Sequence, residues 1–446
     1  MNLAQELDRE GRKDSLLENE AGSFVWRSGW KWVTFFLAIT LLTTLHDWRF
    51  SSDPEAWKIR GDLTNYTLAA AKVEAAGGNP YDTGELEGRR YKYLPLNLMA
   101  VAPLRFMPVP LAQGMWIGLN VTLLLLALQA HQELFGRRFG RGAWIFMLLI
   151  CGRLIWDNIN LGQWNLPVYN VTVIGLWLTL ARRRTWPGAL VLGLGVLKFM
   201  PVFFTVYFLA KRQWKAAGAL ALAVIFWVVI APTLWFGPAR HLDLLNKWLD
   251  QGSSRLESMV SNKVLVGHSL FTATQSYLNP EIIVKYGHNQ ARTIAVAHLS
   301  REQAKLAAGV LCGLIVALTL ALYWRAGSDV SPGPALLTEL GMMFMLLLIC
   351  SPQARMAHLI TTVTAALALG GVWIMPRQSL AMRRTACGVL AAALLMIVLT
   401  SSFFEKMIPH ALLDLLPWLS LPTLMIVTFH VALCGIRWKW MQEEEG

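Results

Sequence analysis

Apolar runs recur along this chain from Trp32 to Gly435, and many are long enough to cross a bilayer, which takes about 20 residues. They fall at roughly 30–47, 111–131, 143–157, 166–180, 216–236, 304–324, 335–350, 357–375, 386–404 and 417–436. Of 446 residues 55% are apolar and only 15% charged. A soluble chain of that length would divide into domains and carry more charge. The expected fold is therefore an all-α, polytopic membrane protein of about ten transmembrane helices.

The net charge of +12 is spread in small clusters between the apolar runs rather than gathered in a basic domain. That distribution reads as a topology signal, not as a nucleic-acid surface. Arg137, Arg138 and Arg141, then Arg182, Arg183 and Arg184, then Lys211, Arg212 and Lys215, then Arg377, Arg383 and Arg384, and finally Arg437 and Lys439 are all expected on the cytoplasmic side. One block resists a simple zigzag. Residues 187–210 are apolar, basic on both flanks, and broken by Lys198 and Pro201. A re-entrant pair of half-helices keeps both flanks on one side, because non-helical backbone is tolerated at depth when protein surrounds it. The expected organisation is a cytoplasmic segment 1–29, a membrane-embedded body 30–436 and a cytoplasmic tail 437–446. Two large loops, about 48–110 and 237–303, and two short ones, 157–165 and 351–357, then lie outside the cytoplasm. The first thirty residues lack a signal-peptide pattern, so the first span is expected to remain as an uncleaved anchor. Cys151, Cys312, Cys350, Cys387 and Cys434 lie in or beside apolar runs without metal-ligand spacing, and neither disulfides nor zinc are expected.

The polar residues worth weighing sit in those outer segments. In the first loop Leu63, Tyr66, Ala70 and Val73 follow a helical spacing, Asp62 stands at the start, and Gly77, Gly78, Asn79 and Pro80 end the run. Asp62 either caps this helix or supplies a functional carboxylate. Gln163 and Asn165 are amides near the membrane surface that either tie loops or hold a polar ligand. Arg153 and Asp157, four apart, can pair along a helix. Lys198 faces a polar interior or snorkels to the nearby cytoplasmic surface. Arg355 and His358 can bind a phosphate or simply line an interfacial loop, and His268 is equally open. In the second loop Leu242, Leu245, Trp248 and Leu249 share one side of an expected interfacial helix. No Walker loop, H-E-x-x-H or dinucleotide glycine pattern is present.

In order, these pieces resemble glycosyltransferase family 87, polytopic enzymes of the C-type glycosyltransferase superfamily. The resemblance rests on Asp62 with Tyr66, on Gly78, Asn79, Pro80 and Tyr81, on Tyr93, Leu94 and Pro95, on Gly162, Gln163 and Asn165, and on Lys198 with Pro201. It continues through Ser269 and Leu270 to Ser351 and Pro352 with His358. Gly267 stands where the family often has asparagine, and Ala354, Arg355 and Ala357 replace its usual aromatic and paired-histidine run. The resemblance implies transfer of a hexose, mannose favoured, from a polyprenyl-phosphate carrier to a lipid or glycan acceptor on the outer face of the plasma membrane. Asp62 would be the general base. Tyr66, Tyr81, Tyr93, Gln163, Asn165, His268, Arg355 and His358 would bind substrate, and Lys198 and Arg153 would serve structure or phosphate. No cofactor or metal is implied, since the lipid-linked donor is itself a substrate, and no nucleic-acid partner. Asp53, Glu55, Asp82, Glu85, Glu87 and Asp157 are the competing acids. The rival expectation is a transporter or flippase for lipid-linked sugars, which also uses broken helices and intramembrane charge; no second copy of the 48–110 loop or of the Lys198 break supports it.

Overall fold

The computed structural model describes residues 29–50, 62–74, 78–81, 91–198, 200–261, 264–286, 289–292, 295–352, 354–376, 378–400 and 420–445. In chain order the elements begin with α1 (Gly29–Phe50), α2 (Asp62–Glu74), α3 (Pro95–Val101), α4 (Val109–Leu134), α5 (Arg141–Asn160) and α6 (Asn165–Leu180). Then come α7 (Thr185–Gly193), prolonged by a 3-10 turn at Leu194–Lys198, α8 (Met200–Ala210) and α9 (Trp214–Phe236), which contains a π-helical turn at Phe226–Ile230. They are followed by α10 (Pro238–Ser261), β1 (Val264–Val266), α11 (Leu270–Leu278), β2 (Ile283–Tyr286), β3 (Asn289–Arg292) and α12 (Arg301–Arg325). The chain closes with α13 (Pro334–Cys350), α14 (Thr362–Ile374) behind a 3-10 turn at Met356–Thr361, α15 (Leu380–Leu399) and α16 (Leu421–Glu445).

Among the described residues seven helices are long and apolar enough to cross a membrane, and shorter apolar helices occur at Lys31–His46, Asn165–Leu180, Thr185–Lys198, Met200–Ala210 and Pro334–Cys350. Each expected span coincides with one of these helices, and the 187–210 block is two short helices rather than one. Residues 401–404, the end of one expected span, and 417–419, the start of another, lie outside the described residues. The expected tail after residue 436 continues α16 to Glu445. The all-α reading holds for the body and misses one detail, a three-stranded sheet in the second loop. There β1 pairs parallel with β2 (Val264 opposite Ile283) and β2 antiparallel with β3 (Ile283 opposite Arg292). Its Val-Leu-Val and Ile-Val-Lys-Tyr runs are rich in β-branched residues but too short to register against the long helical pattern.

The chain forms two units, residues 1–58 with 107–122, and residues 59–106 with 123–446. In the first, the start of α4 lies close on α1 because Gly114 and Gly118 face Thr44 and Thr40, where an added Cβ would collide with the hydroxyls. Small residues allow this close approach between helices in lipid.

In the second unit the helices alternate between two ends. At one end Glu133 pairs with Arg182 at 2.8 Å, Gly333 N–H donates to Leu134 O at 2.9 Å, and Gln213 donates to Ser328 O at 2.8 Å. There too Glu339 accepts from Lys211 and Arg437, Lys439 donates to Ser379, and Arg383 donates to Trp373 O. Described members of each basic cluster, Arg141, Arg182, Lys211, Arg383, Arg437 and Lys439, therefore lie at a single end, and Arg377 lies outside the described residues. α7 starts there, and α8 returns there at Lys211, so the half-helices enter and leave on the same side. The helix pair α13 and α14 forms the buried centre, where His131, Tyr169 and Thr364 share hydrogen bonds of 2.8–3.1 Å between α4, α6 and α14. The opposite end carries the candidate site.

Candidate active site

Asp62 opens α2 as expected, half-buried, and its backbone N–H donates to Leu161 O at the end of α5 at 2.7 Å. Leu63, Tyr66, Ala69, Ala70 and Val73 are all buried, so the apolar face of α2 lies on protein, chiefly on α3 and the 3-10 turn Ala102–Phe106. Gly162 permits the junction: its φ is +61, and a Cβ there would stand 3.0 Å from Leu63 Cβ. Left-handed backbone at a tight approach is a glycine position. Of the expected stop, Gly77 lies outside the described residues, while Asn79 Oδ1 accepts Tyr81 N–H at 3.0 Å, a side-chain turn that redirects the chain.

That turn delivers a nest of tyrosines. The Tyr66 and Tyr93 hydroxyls lie 3.1 Å apart with their rings edge to face, and the Tyr81 hydroxyl donates to Tyr93 O at 3.1 Å. Tyr91 donates to Asn97 Oδ1 at 2.5 Å, and Trp164 flanks the Tyr66 ring. Burial holds the Tyr66 phenol well above its ordinary value, helped by Tyr93 and then by the Asp62 carboxylate; burial also raises Tyr81 and Tyr91. These phenols stay protonated and act as hydrogen-bond donors. Tyr91 and Lys92 were not anticipated, and the alternating aromatics of "YKYLP" were the available signal; Trp164 belongs to the Gly162–Asn165 turn already singled out for its amides.

Lys198 settles where the sequence left two readings. Its ammonium stands 4.9 Å from the centre of the Tyr93 ring, at the site end and away from the basic end. Of the two readings left open, a polar interior or a snorkel to the cytoplasmic surface, this position fits the first, with the 3-10 turn Leu194–Lys198 ending at the lysine. The Lys92 ammonium lies 5.9 Å from the same ring.

The turn between α5 and α6 bridges to a second group. Asn165, buried, donates to Gln163 Oε1 at 2.7 Å. Asn158, one turn before Leu161, donates to Ala357 O at 3.1 Å. The end of α5 thus carries α2 on one side and the 354–358 segment on the other. His268 N–H donates to Ala354 O at 2.5 Å and Thr272 donates to Pro352 O at 3.3 Å, which docks the Ser269 region onto the Ser351 region. Burial lowers His268 to about 4, so at neutral pH it offers a hydrogen bond without charge. His358 Nδ1 accepts Arg355 N–H at 3.0 Å, which places the proton of its neutral form on Nε2. Arg355 is exposed. Arg153 lies 3.6 Å from Asp157 and donates to Thr400 O at 3.1 Å, so the two pair along the half-exposed surface of α5. Asp53, Glu55, Asp82, Glu85 and Glu87 lie outside the described residues.

Chemically, this end offers a half-buried carboxylate at a rigid helix start, phenol and amide donors around it, and cations at Lys198, Lys92 and Arg355. That set suits an anionic, polyhydroxylated ligand. The model of "Glycosyltransferase family 87" matches residues 91–352, beginning beyond Asp62. A polyprenol-phosphate-mannose-dependent alpha-(1-2)-phosphatidylinositol mannoside mannosyltransferase of Mycobacterium tuberculosis is 32% identical over 101 residues, 20% of this chain and 23% of the relative. The protein of the same description from Mycolicibacterium smegmatis is 27% identical over 139 residues, 28% of this chain and 31% of the relative. The matches span less than a third of either relative. No solved structure matches the chain.

Proposed function

The chain belongs to glycosyltransferase family 87, and from that premise we propose that it transfers a hexose, mannose by preference, from a polyprenyl-phosphate carrier to a hydroxyl of a lipid or glycan acceptor. The relatives' mannose donor supports the sugar class. The positive-inside rule, applied to the end where the basic clusters converge, puts the transfer site on the extracytoplasmic face of the plasma membrane.

The observation that carries this reading is the placement of Asp62: a half-buried residue at the start of α2, its backbone N–H bonded to Leu161 O, at the end opposite the ion pairs of Arg182, Lys211 and Arg437. In the reaction the acceptor oxygen attacks the anomeric carbon, Asp62 takes the acceptor proton, and the bond from that carbon to the phosphate oxygen breaks. The leaving group is the polyprenyl phosphate with its electron pair. Cations and hydrogen-bond donors must meet the charge it gains, and Lys198, Arg355, His358 Nε2 and the tyrosine hydroxyls are the candidates.

The test is Asp62→Asn, which keeps a good helix cap and removes the base. Loss of a positioned base lowers rate by about 10²–10⁴-fold. Purified variant protein should bind polyprenyl-phosphate-mannose and transfer at that reduced rate; transfer near the wild-type rate would make Asp62 a cap and move the search to Asp53 or Asp157. Failure of the wild-type protein in detergent to consume the donor, with movement of the lipid-linked sugar across liposomes, would instead favour the transporter reading.

A further inference from the structure

α10 leaves the site end of α9 at a fixed corner. Gly237, at φ +80, makes the turn, His241 N–H donates to Gly237 O at 3.0 Å, and the His241 ring is bonded to the Thr233 hydroxyl at 2.9 Å. Beyond this corner the helix has two unlike sides. On one, Leu242 and Leu249 are 58% and 53% exposed, and they continue an apolar surface that begins with Leu234 and Trp235, 79% and 55% exposed, at the end of the membrane-crossing α9. On the other, to which Trp248 belongs rather than to the leucine side expected from its spacing, three side chains donate to main-chain carbonyls of the tyrosine-bearing segment. The Arg240 guanidinium reaches Gly78 O at 2.5 Å, Trp248 Nε1 reaches Lys92 O at 3.2 Å, and Gln251 reaches Tyr81 O at 3.4 Å. Asp243 steadies the arrangement by pairing with Arg240 at 2.7 Å and Lys247 at 2.9 Å.

We infer that α10 is a lipid-seated clamp: its leucine face rests on the bilayer surface while Arg240, Trp248 and Gln251 hold the segment that carries Tyr81 and Tyr93. The lipid surface is the fitting occupant because the leucine face continues the lipid-facing end of α9 across a rigid corner. A helix with one apolar and one charged side at that level lies in the interface plane. The clamp grips carbonyls at residues 78, 81 and 92, next to the phenols rather than on them. These three are positioning residues, acting through Tyr93, whose ring meets Lys198 and whose hydroxyl meets Tyr66. Their bearing on transfer rests on the functional reading above; their hold on the segment does not.

The experiment uses the full chain in phospholipid nanodiscs and reads amide hydrogen exchange in peptides covering 78–81 and 91–97, together with the KM for polyprenyl-phosphate-mannose. Arg240→Met with Trp248→Phe should speed exchange there at least tenfold, leave α13 and α14 peptides unchanged, and raise donor KM about tenfold. Arg240→Lys, which keeps a donor for Gly78 O, should retain wild-type exchange. Leu242→Gln with Leu249→Gln, which leaves the clamp side chains intact, should speed exchange in the same peptides. Unchanged exchange in the double clamp variant overturns the clamp, and unchanged exchange in the leucine variant overturns its seating on lipid. If the double variant loosens α13 and α14 as well, Trp248→Phe alone decides: local loosening upholds the clamp, wild-type exchange overturns it. Local loosening in a protein whose wild type transfers no sugar leaves the clamp standing and removes the functional reading.

Discussion

An ammonium within an apolar helix pair is stable where an aromatic face or an anion meets it, and Lys198 meets Tyr93 at 4.9 Å. If the donor phosphate also comes to it, a charge-assisted bond of about 1.5–3 kcal/mol is at stake. Lys198→Met should then raise donor KM by about 10- to 150-fold with unfolding unchanged; a wild-type KM would remove Lys198 from the phosphate site. His358→Ala should lower transfer with little loss of folded protein, and wild-type turnover and donor affinity would remove it likewise. His268 yields a pH prediction. Its folded value of about 4 lies below the ordinary 6.5, so between those values the unfolded chain binds the extra proton. Stability contributed by the neutral, buried ring is present above 6.5 and lost as pH falls toward 4. Unfolding midpoints measured across that window should fall more steeply for wild type than for His268→Gln; parallel curves would show that burial of His268 does not set the slope.

At the scale of elements, α7 and α8 show why a broken apolar block need not span. Each is short, and α7 lies flush on α6 because Gly175 has no side chain: a Cβ there would stand 2.6 Å from Leu192 N. The pair turns at the Lys198 region and comes back to Lys211, which is wholly buried against Glu339. Cysteines introduced at positions 185 and 213 should therefore both resist a membrane-impermeant thiol reagent in intact cells. Labelling of either from outside would break the assignment of these flanks to the cytoplasm and reverse the later spans.

For the whole molecule the charged knot around Glu339 links elements far apart in sequence. Glu339 of α13 is 1% exposed and accepts from Lys211 at 3.1 Å, Arg437 at 2.9 Å and the Tyr207 hydroxyl at 3.1 Å. Breaking a buried pair leaves an uncompensated charge and costs about 3–5 kcal/mol. Glu339→Gln leaves Lys211 without its carboxylate and Arg437, among the described residues, with only Glu444, 3.8 Å away, and should lower the unfolding midpoint in detergent markedly, whereas Glu339→Asp should recover part of the loss. An unaltered midpoint for Glu339→Gln would show that water or lipid phosphate already satisfies Lys211 and Arg437.

Hydrophobic runs, basic flanks and the Lys198–Pro201 break were enough to read the helical membrane body, the paired half-helices and the helix that Asp62 opens. These are local or one-dimensional signals: the length of an apolar run, the sign of its neighbours, the residues at a helix start. The sheet at β1–β3, the tyrosine nest, the crossing of Lys198 to Tyr93 and the grip of α10 on three carbonyls were decided by tertiary structure. Each depends on where chain segments as far as 170 residues apart meet, and backbone acceptors carry no mark in the sequence. Lys211, Glu339 and Arg437 make the same point, since each alone reads as an ordinary charge at a helix end, and only the fold brings them onto one buried carboxylate.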